Sequence, residues 1–351
     1  MTAREARIVG AGLIGTSIAL RLRERGWSVQ IKDENDSTES IAKDLVGASQ
    51  SIEDPEIVVI ATPPRAVIQA LKNEYAINPN ATFIDVASTK YNLEVEVASI
   101  TGLNQRYIGT HPIAGREMIG PHSARSDLFD GRAWVVTPAP GSNPTLVESV
   151  ESFISELGAI PYRMSAKEHD QLLAQISHLP QIMSTALASS LDDLGEDIDI
   201  SGQGLRDMLR LAGSNGRLWA EILLSNKEEV LSAVTTFNSR LKELELAISR
   251  GEIKEIEEIF NLANSVHATL SGKHGSQPRK YTYLNIVIED KPGQLGALFN
   301  ECAEISANVE DLALEHSPKQ ETGLIRLALS ESDAQRLQNH LSSKGWRVHL
   351  Q

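Results

Sequence analysis

The chain has 351 residues, 41% of them hydrophobic, which is too long for one compact core and enough apolar material for two or three. Lys and Arg number 33 against 47 Asp and Glu, and a net charge of −14 argues against nucleic acid and anionic membranes as partners. The single cysteine, Cys302, excludes an intramolecular disulfide and a thiolate zinc site. With no apolar stretch near the roughly 20 residues that span a bilayer, and no room for a signal peptide before Ala6, a cytoplasmic protein acting on small molecules, without a metal, is expected.

Through residue 165, short Val- and Ile-rich runs alternate with amphipathic helical stretches. The runs are Ala6–Val9, Ser28–Asp33, Ile57–Ala61, Thr82–Val86, Tyr107–Gly109 and Ala133–Thr137. Such alternation predicts a mainly parallel, doubly wound α/β sheet. Gly10-Ala11-Gly12-Leu13-Ile14-Gly15 follows the first strand and opens the first helix. There a G-x-G-x-x-G run gives a tight turn, close backbone approach to a pyrophosphate and close helix packing, with the phosphates on the helix N-terminus. Asp33 ends the second strand, where a carboxylate accepts from the ribose hydroxyls of NAD and repels the 2′-phosphate of NADP. The expected cofactor is NAD, held by Gly10, Gly12, Leu13, Ile14, Gly15, Asp33 and Thr62.

Two later strands lead into the loops Asp85–Lys90 and His111–Glu117, expected on the cofactor side of the sheet. His111, just past a strand, is placed to exchange a proton near neutral pH. From Ala166 the strands stop for about a hundred residues. His178 and Gln181 share one helix face, and Pro180 between them predicts a kink. Lys90, Arg116 and Arg210 around one cleft would seat an anionic substrate. Val230, Val234, Phe237, Leu241, Leu244 and Ile248 form a heptad-like seam, and Ile253, Ile256, Phe260 and Ala263 a second apolar face. Internal packing and a two-fold subunit interface both fit that pattern. Residues 273–281 read as a linker, and 282–351 as a small α+β domain of βαββαβ rhythm.

These motifs resemble the prephenate dehydrogenase family of tyrosine biosynthesis, with a C-terminal ACT domain. The resemblance rests on the glycine run, Asp85–Lys90, His-Pro-Ile-Ala-Gly at 111–115, Ile-Ser-His-Leu-Pro at 176–180, and the spacing of Arg210, Trp219 and Asn226-Lys227. It implies a Rossmann-type domain over 1–165, an all-α substrate and dimerisation domain over 166–272, and an ACT domain over 282–351. It also implies oxidative decarboxylation of prephenate to 4-hydroxyphenylpyruvate, or of arogenate to tyrosine, by a homodimer. His111 would take the hydroxyl proton, Ser88 would bond the hydroxyl and the histidine, and Arg210 would hold a carboxylate, with Glu117 at the pocket mouth. His178, Gln181, Arg116 and Lys90 complete the expected substrate set. Gln181 stands where many prephenate-using members carry a second histidine, and Arg116 and Leu209 also depart from relatives, so both substrates stay open. In the last domain Asp290, Gly293, Leu295 and Asn308 match positions that bind amino acids, which implies tyrosine or phenylalanine as effector. Two rivals are weaker. A β-hydroxyacid-type dehydrogenase would need a catalytic lysine near His178, and a catalytically silent sensor would be expected to lack His111, Ser88 or Arg210.

Overall fold

Seven strands form the first sheet: β1 (Glu5–Val9), β2 (Ser28–Lys32), β3 (Ile57–Ile60), β4 (Thr82–Asp85), β5 (Tyr107–Pro112), β6 (Ala133–Thr137) and β7 (Ile160–Arg163). The computed structural model describes residues 4–48, 51–114, 120–193, 195, 200–269, 281–289, 291–316 and 322–350. The strand order is β2-β1-β3-β4-β5-β6-β7, and neighbours are parallel except β5 and β6. The helices of this part are α1 (Leu13–Glu24), α2 (Asp36–Val46), α3 (Val67–Ile77), α4 (Tyr91–Ala98) and α5 (Pro144–Glu156). They cover both faces, which is why β3 can read Ile-Val-Val-Ile with every side chain buried. One face packs Ile8, Ile18, Leu22, Trp27, Trp134 and Phe153, and the other Val58, Ile60, Leu71, Phe83 and Leu93. Strand order reverses between β1 and β3, and in open α/β sheets the crevice at the carboxyl ends beside such a switch point is where ligands bind.

The next helices are α6 (Ala166–Leu173), α7 (Leu179–Ser189), α8 (Gln203–Leu209), α9 (Gly216–Ser225), α10 (Lys227–Arg250) and α11 (Ile253–Thr269). A capping box starts α6: Ser165 Oγ accepts from the Glu168 amide at 3.2 Å, and the Glu168 carboxylate accepts from the Ser165 amide at 2.8 Å. Between α6 and α7 the chain makes a π-helical turn, Ala174–His178. Pro180, expected to kink a helix, directly follows this turn in backbone that stays helical through His178 and Leu179, and the wide turn is the local distortion beside it.

The chain divides into two compact units, Met1–Leu241 and Lys242–Gln351, with the boundary inside α10. The expected seam divides in character. Val230 is buried with Ala174 and Ala233, and Val234 packs on them, whereas Leu241 and Ile248 are exposed. On α11, Ile253 and Phe260 are exposed as well. The second unit carries β8 (Thr282–Glu289), α12 (Gln294–Glu304), β9 (Asp311–His316), β10 (Thr322–Leu329), α13 (Glu331–Ser343) and β11 (Arg347–Leu350). Its sheet is antiparallel throughout, in the order β11-β8-β10-β9. Leu284, Ile286, Leu298, Cys302, Ile325, Leu327, Leu337 and Leu341 fill its core. The expected linker lies, but for Tyr281, outside the described residues. No helix among the described residues is long and apolar enough to cross a membrane.

Candidate active site

The glycine loop is shaped by close approach. Gly10 has φ +108°, and a Cβ there would lie 2.3 Å from the Ala61 carbonyl oxygen; a Cβ on Gly15 would lie 2.0 Å from that of Gly10. The loop is thus pressed onto the end of β3, and no side chain larger than hydrogen fits at either point. Around Gly12 there is open space, and this residue begins α1 with no side-chain cap, so the first amides of the helix face a region a phosphate could fill. Asp33, one residue past β2, accepts from the Ala11 amide at 2.7 Å and, through its other oxygen, from the Asn35 amide at 2.9 Å. The carboxylate is therefore fixed at the rim of the loop with lone pairs to spare. Lys32 is directed to Glu74 at 3.3 Å. Thr62, just past β3, carries a buried hydroxyl oxygen without a hydrogen-bond partner, as a missing ligand group would leave it. Leu13 and Ile14 lie in the first turn of α1. These residues fit a dinucleotide.

His111 lies near the carboxyl end of β5, on the same sheet edge as the glycine loop. Its Nδ1 is 2.9 Å from His169 Nε2, and His169 Nδ1 is 2.7 Å from Asp170 Oδ1. The capping box of α6 places this pair one turn into the helix. Asp170 also accepts from the Lys90 amide at 2.8 Å and the Tyr91 amide at 2.9 Å, which joins α6 to the loop carrying Ser88. His178, at the end of the π turn, is buried beside Trp219, with Nδ1 3.3 Å from Asn226 Nδ2. That Asn226 amide also donates to the Asp170 carbonyl at 2.8 Å.

The electrostatics follow from burial. Loss of water pushes His111 well below its ordinary value of 6.5, and repulsion of its charged form by the neighbouring His169, Lys90 and His178 adds to the shift. His178 falls to about 4, mainly from burial, with Asp170 opposing the shift. Both rings are neutral at pH 7 and can accept a proton or a hydrogen bond.

The structure corrects several expectations. Lys90 is 1% exposed, with its ammonium bound to Asp85, while Tyr107 donates to the same carboxylate at 2.6 Å. Lys90 thus holds its loop in place from inside and is no free cation in a cleft. Gln181 is buried, its Nε2 donating to the Leu211 carbonyl at 2.7 Å. It ties α7 to the 3₁₀ turn Arg210–Gly213, the turn that carries Arg210. Arg210 itself is exposed on that turn. Ser88 is half-buried on its loop, but the described hydrogen bonds of His111 go to His169 and include none to Ser88. Arg116, Glu117 and Asp290 lie outside the described residues. Gly293, with φ +89°, begins α12, Leu295 is in its first turn, and Asn308 Nδ2 donates to Glu310 at 2.8 Å. The sequence reading did not single out His169 and Asp170. Their signal was a His-Asp pair one turn past a capping box.

Comparison with known proteins agrees with this geometry. The family model described as prephenate dehydrogenase, nucleotide-binding domain, matches residues 18–162, and the one described as prephenate dehydrogenase, dimerization domain, matches 165–262. The probable prephenate dehydrogenase NovF of Streptomyces niveus is 26% identical, over 98% of this chain and 99% of its own. The crystal structure of prephenate dehydrogenase from Aquifex aeolicus with hydroxyphenyl propionate and NAD+ superposes with a TM-score of 0.70 at 27% identity, covering 76% of this chain and 98% of that one. A Synechocystis arogenate dehydrogenase superposes with a TM-score of 0.64, also at 27% identity, covering 75% and 98%. Two adjoining family models over more than two thirds of the sequence, and a relative alignable end to end, place this chain in the prephenate dehydrogenase family.

Proposed function

We propose that this protein oxidises prephenate with NAD and releases carbon dioxide, giving 4-hydroxyphenylpyruvate for tyrosine synthesis. The observation that carries the reading is a neutral His111 on the sheet edge that also bears the dinucleotide cradle. NAD, when bound, supplies the hydride acceptor. His111 takes the proton of the ring hydroxyl as the hydride leaves the same carbon. The carbon–carboxylate bond then breaks, its electron pair makes the ring aromatic, and the proton held by His111 can return to the phenolate oxygen. The protein's work is to position the reactants and tune one proton transfer.

Ser88 is placed to bond the hydroxyl, and Arg210 to hold a substrate carboxylate on a turn kept rigid by Gln181. By the resemblance of their motif to the family, Arg116 is proposed as a further cation for the anionic substrate and Glu117 as an acidic residue at the pocket mouth. The exposed apolar residues of α10 and α11 support a homodimer, and a monomeric mass in sedimentation would exclude it. The antiparallel βαββαβ unit supports an ACT domain that binds tyrosine or phenylalanine. The likeness to prephenate and arogenate enzymes is equal in identity, so it does not choose the substrate. The test is kcat/KM for prephenate and arogenate, each with NAD and NADP, before and after Asp33→Ser. Prephenate with NAD should be fastest, and Asp33→Ser should narrow the preference for NAD. Turnover of neither substrate would overturn the reading, and a native preference for NADP would overturn the role of Asp33.

A further inference from the structure

Asp170, His169 and His111 form a chain of hydrogen bonds whose direction is set at one end. Asp170 is a carboxylate that accepts at both oxygens: from the Lys90 amide and His169 Nδ1 at Oδ1, and from the Tyr91 amide at Oδ2. A carboxylate in this role has no proton to give, so the hydrogen in the 2.7 Å contact belongs to His169 Nδ1. In neutral His169 the other nitrogen, Nε2, is then bare. The 2.9 Å contact to His111 therefore requires the hydrogen to sit on His111 Nδ1. That leaves His111 Nε2 unprotonated, and no described hydrogen bond engages it. The reverse polarity would need an imidazolium at His169. The chain of contacts needs only one hydrogen on the fully buried His169 ring, the one that Asp170 accepts, and the tautomer of His111 follows from it.

We infer that His169 and Asp170 are positioning residues that lock His111 in the Nδ1–H tautomer and so make its Nε2 the base. The inference rests on the proposed role of His111. When His111 takes a proton, it becomes an imidazolium whose Nδ1–H already points at a bare imidazole nitrogen, with a buried carboxylate one link further on. The positive charge is met by oriented acceptors with no rearrangement. The fold explains why both partners arrive together: the capping box fixes the start of α6, and the two amides after Thr89 hold the carboxylate in place.

The test is ring ¹⁵N NMR of histidine-labelled enzyme near neutral pH, with His111 assigned by its loss in His111→Asn. A protonated Nδ1 and a bare Nε2 on His111 are expected, and an Nε2–H tautomer would overturn the inference. Because the spectrum reads the tautomer without turnover, it stands apart from any failure of the proposed reaction. The second arm compares His169→Leu with His169→Gln, whose amide oxygen can replace Nε2 as acceptor. His169→Leu should lower kcat by roughly 10²-fold, in the range for general-base catalysis, and Gln should recover about tenfold of that. KM for prephenate and the dissociation constant for NADH should stay within about twofold, since ground-state binding is untouched. Normal kcat in His169→Leu, or equal losses in both variants, would contradict the relay.

Discussion

At the scale of the residue, position along the strand decides what each side chain can do. His111 follows the buried Tyr107–Thr110 run, so its backbone is fixed by the sheet while its ring reaches the edge. Because burial, chiefly, and the neighbouring His169, Lys90 and His178 hold it below 6.5, the acid limb of kcat/KM should fall below that pH: activity needs the unprotonated ring and is lost as the ring protonates. An acid limb above pH 6.5 would assign it to another group. Arg210, exposed on its turn, is expected to act through binding. Arg210→Gln should raise KM by roughly 10–100-fold with a smaller change in kcat, as for a charged hydrogen bond of about 1.5–3 kcal/mol made equally in ground and transition states. An unchanged KM would move the carboxylate site elsewhere. That Gly10, Gly15, Asp33 and His111 lie at one edge of the sheet was legible from the strand pattern, although β5 runs on to Pro112 and so includes His111. His169 and Asp170 were not, because a His-Asp pair on an amphipathic helix reads as surface until the neighbouring loop is known. Lys90 misled for the same reason: nothing local reveals that its ammonium is buried against Asp85, whose carboxylate Tyr107 also binds.

At the scale of the element, the strands with apolar runs were read correctly and the irregular pieces were not. Ile160–Arg163 contains Pro161 and leaves Ile160 and Tyr162 exposed, so it lacks the buried pattern that marks a strand, yet it pairs in parallel with β6 as an edge. The π turn at Ala174–His178 had only Pro180 as a local sign. Such turns are frequent at functional sites, and this one ends on the buried His178. Its depressed value has a stability consequence. Between about 4 and 6.5 the unfolded chain binds a proton that folded His178 refuses, so this contribution is full above pH 6.5 and is lost as pH falls toward 4. The loss is up to about 3 kcal/mol. Denaturation of the native protein and of His178→Gln across this range should show the smaller acid sensitivity in the variant. Parallel curves would mean that His178 is not the group responsible.

At the scale of the whole molecule, the sheet, the helical region and the βαββαβ unit follow the order that the strand and helix patterns imply. Which apolar seam faces inward was not legible. Val230 and Leu241 belong to one heptad stripe, yet Val230 packs on Ala174 and Leu241 remains exposed, because burial depends on which neighbour the fold supplies. The role of the last unit also follows at this scale. If tyrosine binds there, removal of residues 281–351 should abolish its effect on turnover while leaving activity, and a typical coupling would appear as about a 5–150-fold change in apparent affinity. Equal inhibition of the full and shortened chains would place tyrosine at the active site. All of these readings depend on a proton passing to His111 as hydride leaves the substrate. The most direct measurement is turnover of prephenate with NAD by His111→Asn beside the native enzyme, with NADH affinity measured in parallel. Loss of roughly 10²–10⁴-fold in kcat with NADH affinity unchanged is expected. Near-normal turnover in the variant would contradict the assignment of the base.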